Sequence, residues 1–328
     1  MPSSSNPTRI KPPVLHQGDV VGIVASASYF KRDLLEAGCD NLRSLGYKPF
    51  YLDSIFDRDL YFAGSAERRA RELHEMFIRD EVRAILCARG GYGSNYLLSS
   101  LDLKTIKAHP KIFAGYSDLT TLLTHITDAT GLITFQGPMV AKDFASADGV
   151  DLASWERALN GSSDWAVGPE AGMKALVEGM AEGMLYGGCL SMLVASLGTP
   201  YEIRTAGSIL FIEDITTKPY QIDRMLMQLK LSGKLADVRG IVFGEMVDCV
   251  QNKDSNPGYT LEEIVLRVVG DLGMPVAYGL RSGHVSRANI TLPIGVRAAL
   301  NVQRGEVELK ILEAATAKAV SSSSRTAG

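Results

Sequence analysis

The stretch KIFAGYSDLTTLLTHITDAT, residues 111–130, passes from a short apolar run through a glycine into a segment of helical periodicity. Residues 112–115 are apolar and end in turn-forming residues, which predicts a buried strand. Leu119, Leu122, Leu123 and Ile126 recur at the spacing of one helix face, so 118–130 is predicted to be helical, with His125 on its polar side. Parallel neighbours in a sheet need a crossover connection, and a strand leading directly into a helix is half of that unit.

The same alternation extends outward in both directions. Apolar runs at 20–25, 49–52, 82–88 and 132–136 read as strands, and 31–45 and 66–80 as amphipathic helices. A largely parallel sheet with helices between its strands follows for residues 17–145. From 146 to 182 the chain is rich in Gly, Asp and Ser, carries both tryptophans and has little periodicity, so a connecting segment is predicted there. Beyond it, 190–197, 222–231 and 261–272 read as helices, and 209–212, 240–243, 276–278 and 298–302 as strands, giving a second mixed α/β domain over 183–313. Residues 1–16, rich in Ser and Pro, are expected to be a flexible leader, and 314–328 a disordered tail.

Composition excludes several classes. The chain has 328 residues, 46% of them hydrophobic and 22% charged, enough for two cores. A formal net charge of -3, with no basic stripe, is not the footprint of a nucleic-acid binder. The four cysteines, Cys39, Cys87, Cys189 and Cys249, form no C-x-x-C pair, so neither a zinc cluster nor a disulfide framework is expected. No secretory h-region or membrane-length apolar run is seen, and a cytoplasmic location without membrane association is expected.

Chemistry concentrates at a few positions. Ser117 stands at a strand-to-helix turn, the layout of a nucleophile elbow, where a helix N-terminus favours a developing oxyanion. A helix N-cap serine has the same local pattern. Leu119 replaces the second glycine of G-x-S-x-G, which disfavours an ordinary α/β-hydrolase. Arg89-Gly90-Gly91-Tyr92-Gly93 follows a strand, and its glycines suit either backbone donors near a ligand or a plain tight turn; Tyr96 breaks the dinucleotide-binding pattern. Glu213 closes an apolar strand, where it could face a cleft or simply pair with Lys218 or Arg224. His284 lies in a polar loop between apolar strands, free to turn toward another domain. His16, His74, His109 and His125 are weaker candidates, and His74-Glu75 lacks the second histidine of a zinc-protease motif.

Taken together, R-G-G-Y-G at 89–93, G-Y-S-D at 115–118, P-Y-x-I-D-R-M-L at 219–226 and Gly283-His284 followed by T-L-P-I-G at 291–295 resemble the serine LD-carboxypeptidases, the murein tetrapeptide carboxypeptidase family. The resemblance runs from about residue 18 to 312. It implies a Ser117–Glu213–His284 triad, an oxyanion hole from the N–H groups of Gly91 and Asp118, and no cofactor or metal. It also implies a flavodoxin-like or glutaminase-like N-terminal domain, a smaller α/β or barrel-like C-terminal domain, and a homodimer. The implied reaction releases terminal D-alanine from cytoplasmic muropeptides during peptidoglycan recycling. Cys189 stands where Asn is common and Thr216-Thr217-Lys218 where Gly-Glu-x is usual, departures that bear on substrate preference. Two other readings are a microcin-immunity-type peptidase acting on peptidyl or aminoacyl adenylates, and a non-catalytic muropeptide-binding protein. The first of these resembles the family but carries an extra aromatic loop; the polar stretch 251–260 holds only Tyr259.

Overall fold

The computed structural model describes residues 8–168, 171–250 and 258–317. Its first half alternates as the periodicity predicts: β1 (Val20–Val24), α1 (Arg32–Ser44), β2 (Lys48–Phe50), α2 (Ala66–Ile78), β3 (Val82–Cys87), α3 (Leu103–Ala108), β4 (Ile112–Gly115), α4 (Thr120–Thr130) and β5 (Thr134–Gln136). These five strands are mutually parallel, in the order β5-β4-β3-β1-β2. Helix α2 begins at Ser65, whose side chain accepts the N–H of Arg68, and α4 stops at Gly131, whose φ of 85° continues the chain in the left-handed region.

The segment 146–182 differs from the expected connection. It holds α5 (Leu152–Leu159), β6 (Trp165–Val167), β7 (Lys174–Val177) and the first residues of β8 (Gly179–Cys189). Glycines at 179, 183, 187 and 188 hid β8 from a propensity reading. At Gly183 and Gly187 the backbones crowd: a methyl on Gly187 would lie 2.0 Å from the Phe211 carbonyl oxygen, and one on Gly188 would meet the Thr120 side chain at 2.6 Å. The remaining elements are α6 (Leu190–Ala195), β9 (Ser208–Glu213), α7 (Pro219–Leu231), β10 (Gly240–Gly244), α8 (Leu261–Val269), β11 (Val276–Leu280), β12 (Leu292–Ile294), β13 (Arg297–Gln303) and β14 (Glu306–Ile311). The second sheet is mixed, ordered β6-β14-β13-β8-β9-β10-β11-β7, with β8, β9, β10 and β11 parallel to one another.

One strand crosses between the halves. β12 leaves the second half of the chain and pairs antiparallel with β5, Leu292 opposite Gln136 and Ile294 opposite Thr134, to edge the first sheet. The cores follow this layout. One apolar cluster fills the space between the first sheet and α2 to α4, around Leu73, Phe113 and Leu122. A second lies between the other sheet and α6 to α8, around Leu190, Leu226 and Val265. A third joins the halves, bringing Ile23 and Phe135 together with Phe211 and Leu300 in one connected cluster.

Residues 8–16, expected to belong to a flexible leader, lie against this body: Ile10 bridges Leu132, and Val14 and Leu15 are buried. Ala317 pairs with Pro13. The rest of both predicted tails, 1–7 and 318–328, falls outside the described residues. All four cysteines are buried and free. No helix among the described residues is long and apolar enough to cross a membrane.

Near the C-terminal end of α4, Asp128 accepts a 2.7 Å hydrogen bond from the Tyr186 hydroxyl. Burial pushes its carboxyl up to about 6, against the pull of Arg204 and Arg9. A carboxyl raised in the folded state adds stability while it is protonated, and that contribution disappears as pH climbs through about 6. Asp128→Asn keeps a neutral acceptor at every pH. Urea denaturation is therefore expected to find the variant more stable than the parent by about 2 kcal/mol at pH 8, with the difference gone near pH 4.

Candidate active site

Strand β4 ends at Gly115 on the fully buried side of the sheet, Tyr116 continues it in extended conformation, and Ser117 turns at φ 65° into a single 3-10 turn that opens α4. A left-handed serine between strand and helix is strained by about 1–3 kcal/mol and is held only where surroundings dictate it. Those surroundings are visible. Gly90 presses against the serine so closely that a methyl on it would stand 2.9 Å from Ser117 Cβ and 3.2 Å from its Oγ. Behind the turn, the Asp118 carboxylate accepts the N–H of Ser94 at 2.7 Å, and the Ser94 hydroxyl donates to the Asp118 carbonyl at 2.6 Å. Burial pushes the Asp118 carboxyl up, and the bonds from Ser94 and Gly93 act against that. Arg69, buried beneath, donates to the carbonyls of Ser26 and Gly93 at 2.9 Å each. The glycine turn and the serine turn are thus one stitched unit. Gly91 and Asp118, the expected oxyanion donors, lie on its two halves.

Glu213 ends β9 fully buried. Its neighbours are glycines out of necessity: a methyl on Gly244 would lie 2.6 Å from Glu213 Cβ, and one on Gly283 2.7 Å from Glu213 Cδ. Glu213 Oε2 accepts from the backbone N–H of His284 at 3.0 Å and lies 2.7 Å from His284 Nδ1. Lys218 and Arg224, the pairing partners weighed from sequence, are not what it binds. Two contacts brace the histidine loop. Asn289 accepts the Gly283 N–H at 3.0 Å and returns its amide to the Gly283 carbonyl at 3.1 Å. On the far side the Ser286 N–H donates to Glu245 at 3.0 Å.

The imidazole of His284 meets the Tyr116 ring edge-on, centroids 5.1 Å apart, which places it beside the residue preceding Ser117. The joined pair of His284 and Glu213 therefore lies beside the strand end that leads into Ser117. Ser117 Oγ makes no hydrogen bond to another described residue. His16, His74, His109 and His125 lie elsewhere; His125 is half-buried against Tyr201, and His74 Nε2 accepts the Asp102 N–H. A groove of about 870 Å³ on the outer face of α2, lined by Glu67, His74 and Arg79, contains none of the three.

The departures from the family pattern also lie here. Cys189 stands opposite Glu213 in the β8–β9 register, and its thiol is 3.2 Å from the Ser191 hydroxyl. Burial and the charges of Glu213 and Asp214 push that thiol well up, which disfavours its thiolate. Thr217 donates to the Asp214 carboxylate at 3.0 Å, and that carboxylate also accepts the Ser191 N–H at 2.9 Å.

Sequence reasoning assigned no role to Tyr116, Asp143, Asn289 or Gln136. Tyr116 donates to buried Asp143 at 3.2 Å, which fixes the ring against His284. Asn289 was visible as a polar residue in the histidine loop, but nothing local distinguishes a loop brace from a solvated side chain.

Comparison with known proteins shows the family. Residues 182–300 match the family model of the LD-carboxypeptidase C-terminal domain and residues 21–137 that of the N-terminal domain. A Bacillus subtilis protein described as a probable murein peptide carboxypeptidase is 42% identical over 293 residues, 89% of this chain and 91% of that one. The solved structure of muramoyltetrapeptide carboxypeptidase from Oxalobacter formigenes superposes with a TM-score of 0.80 at 31% identity, covering 90% of this chain and 99% of that one. The microcin C7 self-immunity protein, in its wild-type unliganded structure, superposes with a TM-score of 0.85 at 26% identity, over 94% of this chain and 100% of that one. Both matched domains occur in order, the relatives are matched nearly end to end, and the chain belongs to the LD-carboxypeptidase family.

Proposed function

We propose that this protein is a serine L,D-carboxypeptidase that releases terminal D-alanine from muropeptide tetrapeptides, with Ser117 as nucleophile. The observation that carries the reading is the buried 2.7 Å contact of His284 Nδ1 with Glu213, made at the end of the sheet beside a serine held at positive φ. A carboxylate on Nδ1 fixes the tautomer that leaves Nε2 free to take a proton. As Ser117 Oγ attacks the carbonyl, His284 accepts its proton and Glu213 stabilises the imidazolium. The N–H groups of Gly91 and Asp118 hold the oxyanion, assisted by the positive end of α4. His284 then protonates the departing D-alanine amine, and water, activated by the same base, frees the acyl group.

The names of the Bacillus and Oxalobacter relatives support the muropeptide as substrate. A cytoplasmic place in peptidoglycan recycling and a homodimeric state belong to the same proposal. The second reading, cleavage of a peptidyl or aminoacyl adenylate, is favoured by the close superposition on the microcin immunity protein. It ranks behind because identity to the murein carboxypeptidases is higher. The stretch 251–260 in which an aromatic loop was sought is described only from residue 258 onward.

Two outcomes test this. Ser117→Ala is expected to lower D-alanine release from an L,D-linked tetrapeptide by about a thousandfold or more while the protein stays folded. Mass analysis of products from tetrapeptide, pentapeptide and an aminoacyl adenylate analogue measures it, and unchanged turnover would remove Ser117 from the mechanism. Gly283→Ala forces a side chain onto Glu213 at a residue with φ 87°. A kcat loss of at least about tenfold with a lowered melting temperature is expected, since the acid can no longer sit under the imidazole.

A further inference from the structure

Glu213 spends only one oxygen on His284. Its Oε1 is buried and has no hydrogen-bond partner among the described residues. Gln136, at the end of β5, is fully buried, and neither its amide nitrogen nor its amide oxygen has a partner either. The two side chains approach the same point. A methyl on Gly283 would lie 2.7 Å from Glu213 Cδ and 2.8 Å from Gln136 Nε2. A free amide donor and a free carboxylate acceptor thus face the small volume beside Gly283. Thr291 Oγ1, also buried without a partner, borders Gly137, the next residue along the chain from Gln136.

Such a grouping is not neutral. Each buried polar atom left unpaired costs about 1–3 kcal/mol, and native proteins satisfy nearly all of them, with ordered water where protein atoms do not reach. The site offers what a buried water needs, namely more than one unpartnered polar atom around the same point beside Gly283. An apolar residue at 136 would have filled the same position in β5 without this cost.

We propose that Gln136 is a positioning residue of the triad, its Nε2 holding Glu213 Oε1 through one buried water lodged over Gly283. The second donor fixes the plane of the carboxylate, so that Oε2 stays aligned with His284 Nδ1, and it stabilises the anion that the imidazolium requires. Gln136 reaches this place because β5 is hydrogen-bonded on one side to β4, which leads into the Ser117 turn, and on the other to β12, which follows the His284 loop. Its strand thereby lies between the segments that lead to Ser117 and from His284. The proposal rests on the Ser117–His284–Glu213 reading, and the test separates the two.

Gln136→Met keeps the volume and removes the donor; Gln136→Asn keeps the amide on a shorter stem. With tetrapeptide substrate, Q136M is expected to lose about tenfold in kcat with little change in KM, the scale of a lost support behind a catalytic ligand. The downfield proton of His284 Nδ1–H, seen by NMR, is expected to move upfield or broaden in Q136M. Q136N should recover both the resonance and most of kcat. Wild-type kcat in Q136M, or a fall in kcat with the resonance unmoved, overturns the proposal, as does a Q136N variant no better than Q136M. A crystal structure of the wild-type protein at water-resolving resolution decides it even if Q136M does not fold: density between Gln136 Nε2 and Glu213 Oε1 supports the bridge, and a dry gap refutes it. Should the wild-type protein release no D-alanine, the functional reading fails, while the NMR and crystallographic arms still decide the role of Gln136.

Discussion

The antiparallel pairing of β12 with β5 is the constraint on which the rest depends. The second half of the chain gives up three residues, Leu292–Ile294, to the edge of the first sheet. Backbone hydrogen bonds there fix where the preceding loop must lie, because only seven residues separate Leu292 from His284. The same pairing supplies an edge partner to β5, which would otherwise present an unpaired row of polar groups. It also explains why the apolar cluster between the sheets is continuous rather than divided into two cores.

With that loop anchored, Glu213 can be buried completely. A carboxylate in that position without partners would be very unfavourable, and its oxygen is answered by two N–H groups of one residue, the backbone and the imidazole of His284. Space is the second requirement. Gly244 and Gly283 flank the acid at distances no side chain would permit, and Gly90 gives the serine the same close clearance. The glycines of the R-G-G-Y-G turn and of the histidine loop therefore act sterically. The positive φ of Ser117 is sustained by the Asp118–Ser94 hydrogen bonds behind it, so its geometry depends on the glycine turn as well as on its own strand and helix.

Much of the first domain was legible because its elements satisfy local rules. Strand β4 matched its predicted ends, and β1, β3, α1 and α2 agreed within one or two residues, since uninterrupted apolar runs and strong 3.6-residue periodicity leave little choice. Strand β8 was hidden, because its glycines at 183, 187 and 188 answer to close neighbours, the backbone beside β9 and the Thr120 side chain, rather than to strand propensity. The segment 146–182 looked like a connection because its strands are short and partly exposed, so pairing with distant partners, not their own composition, makes them strands.

The sequence by itself determined the alternation of strand and helix and the glycine turns, since these depend on neighbours a few positions away. It also carried enough linear pattern for the family resemblance. That Ser117 turns at positive φ, and that Glu213 is a buried partner of His284 rather than half of a surface ion pair, was decided only by tertiary structure. Those choices turn on φ, burial and contacts between residues 71 positions apart, as for Glu213 and His284. The facing of Gln136 and Glu213 across Gly283 belongs to the same class: it arises where two sheets meet, and no stretch of chain contains it.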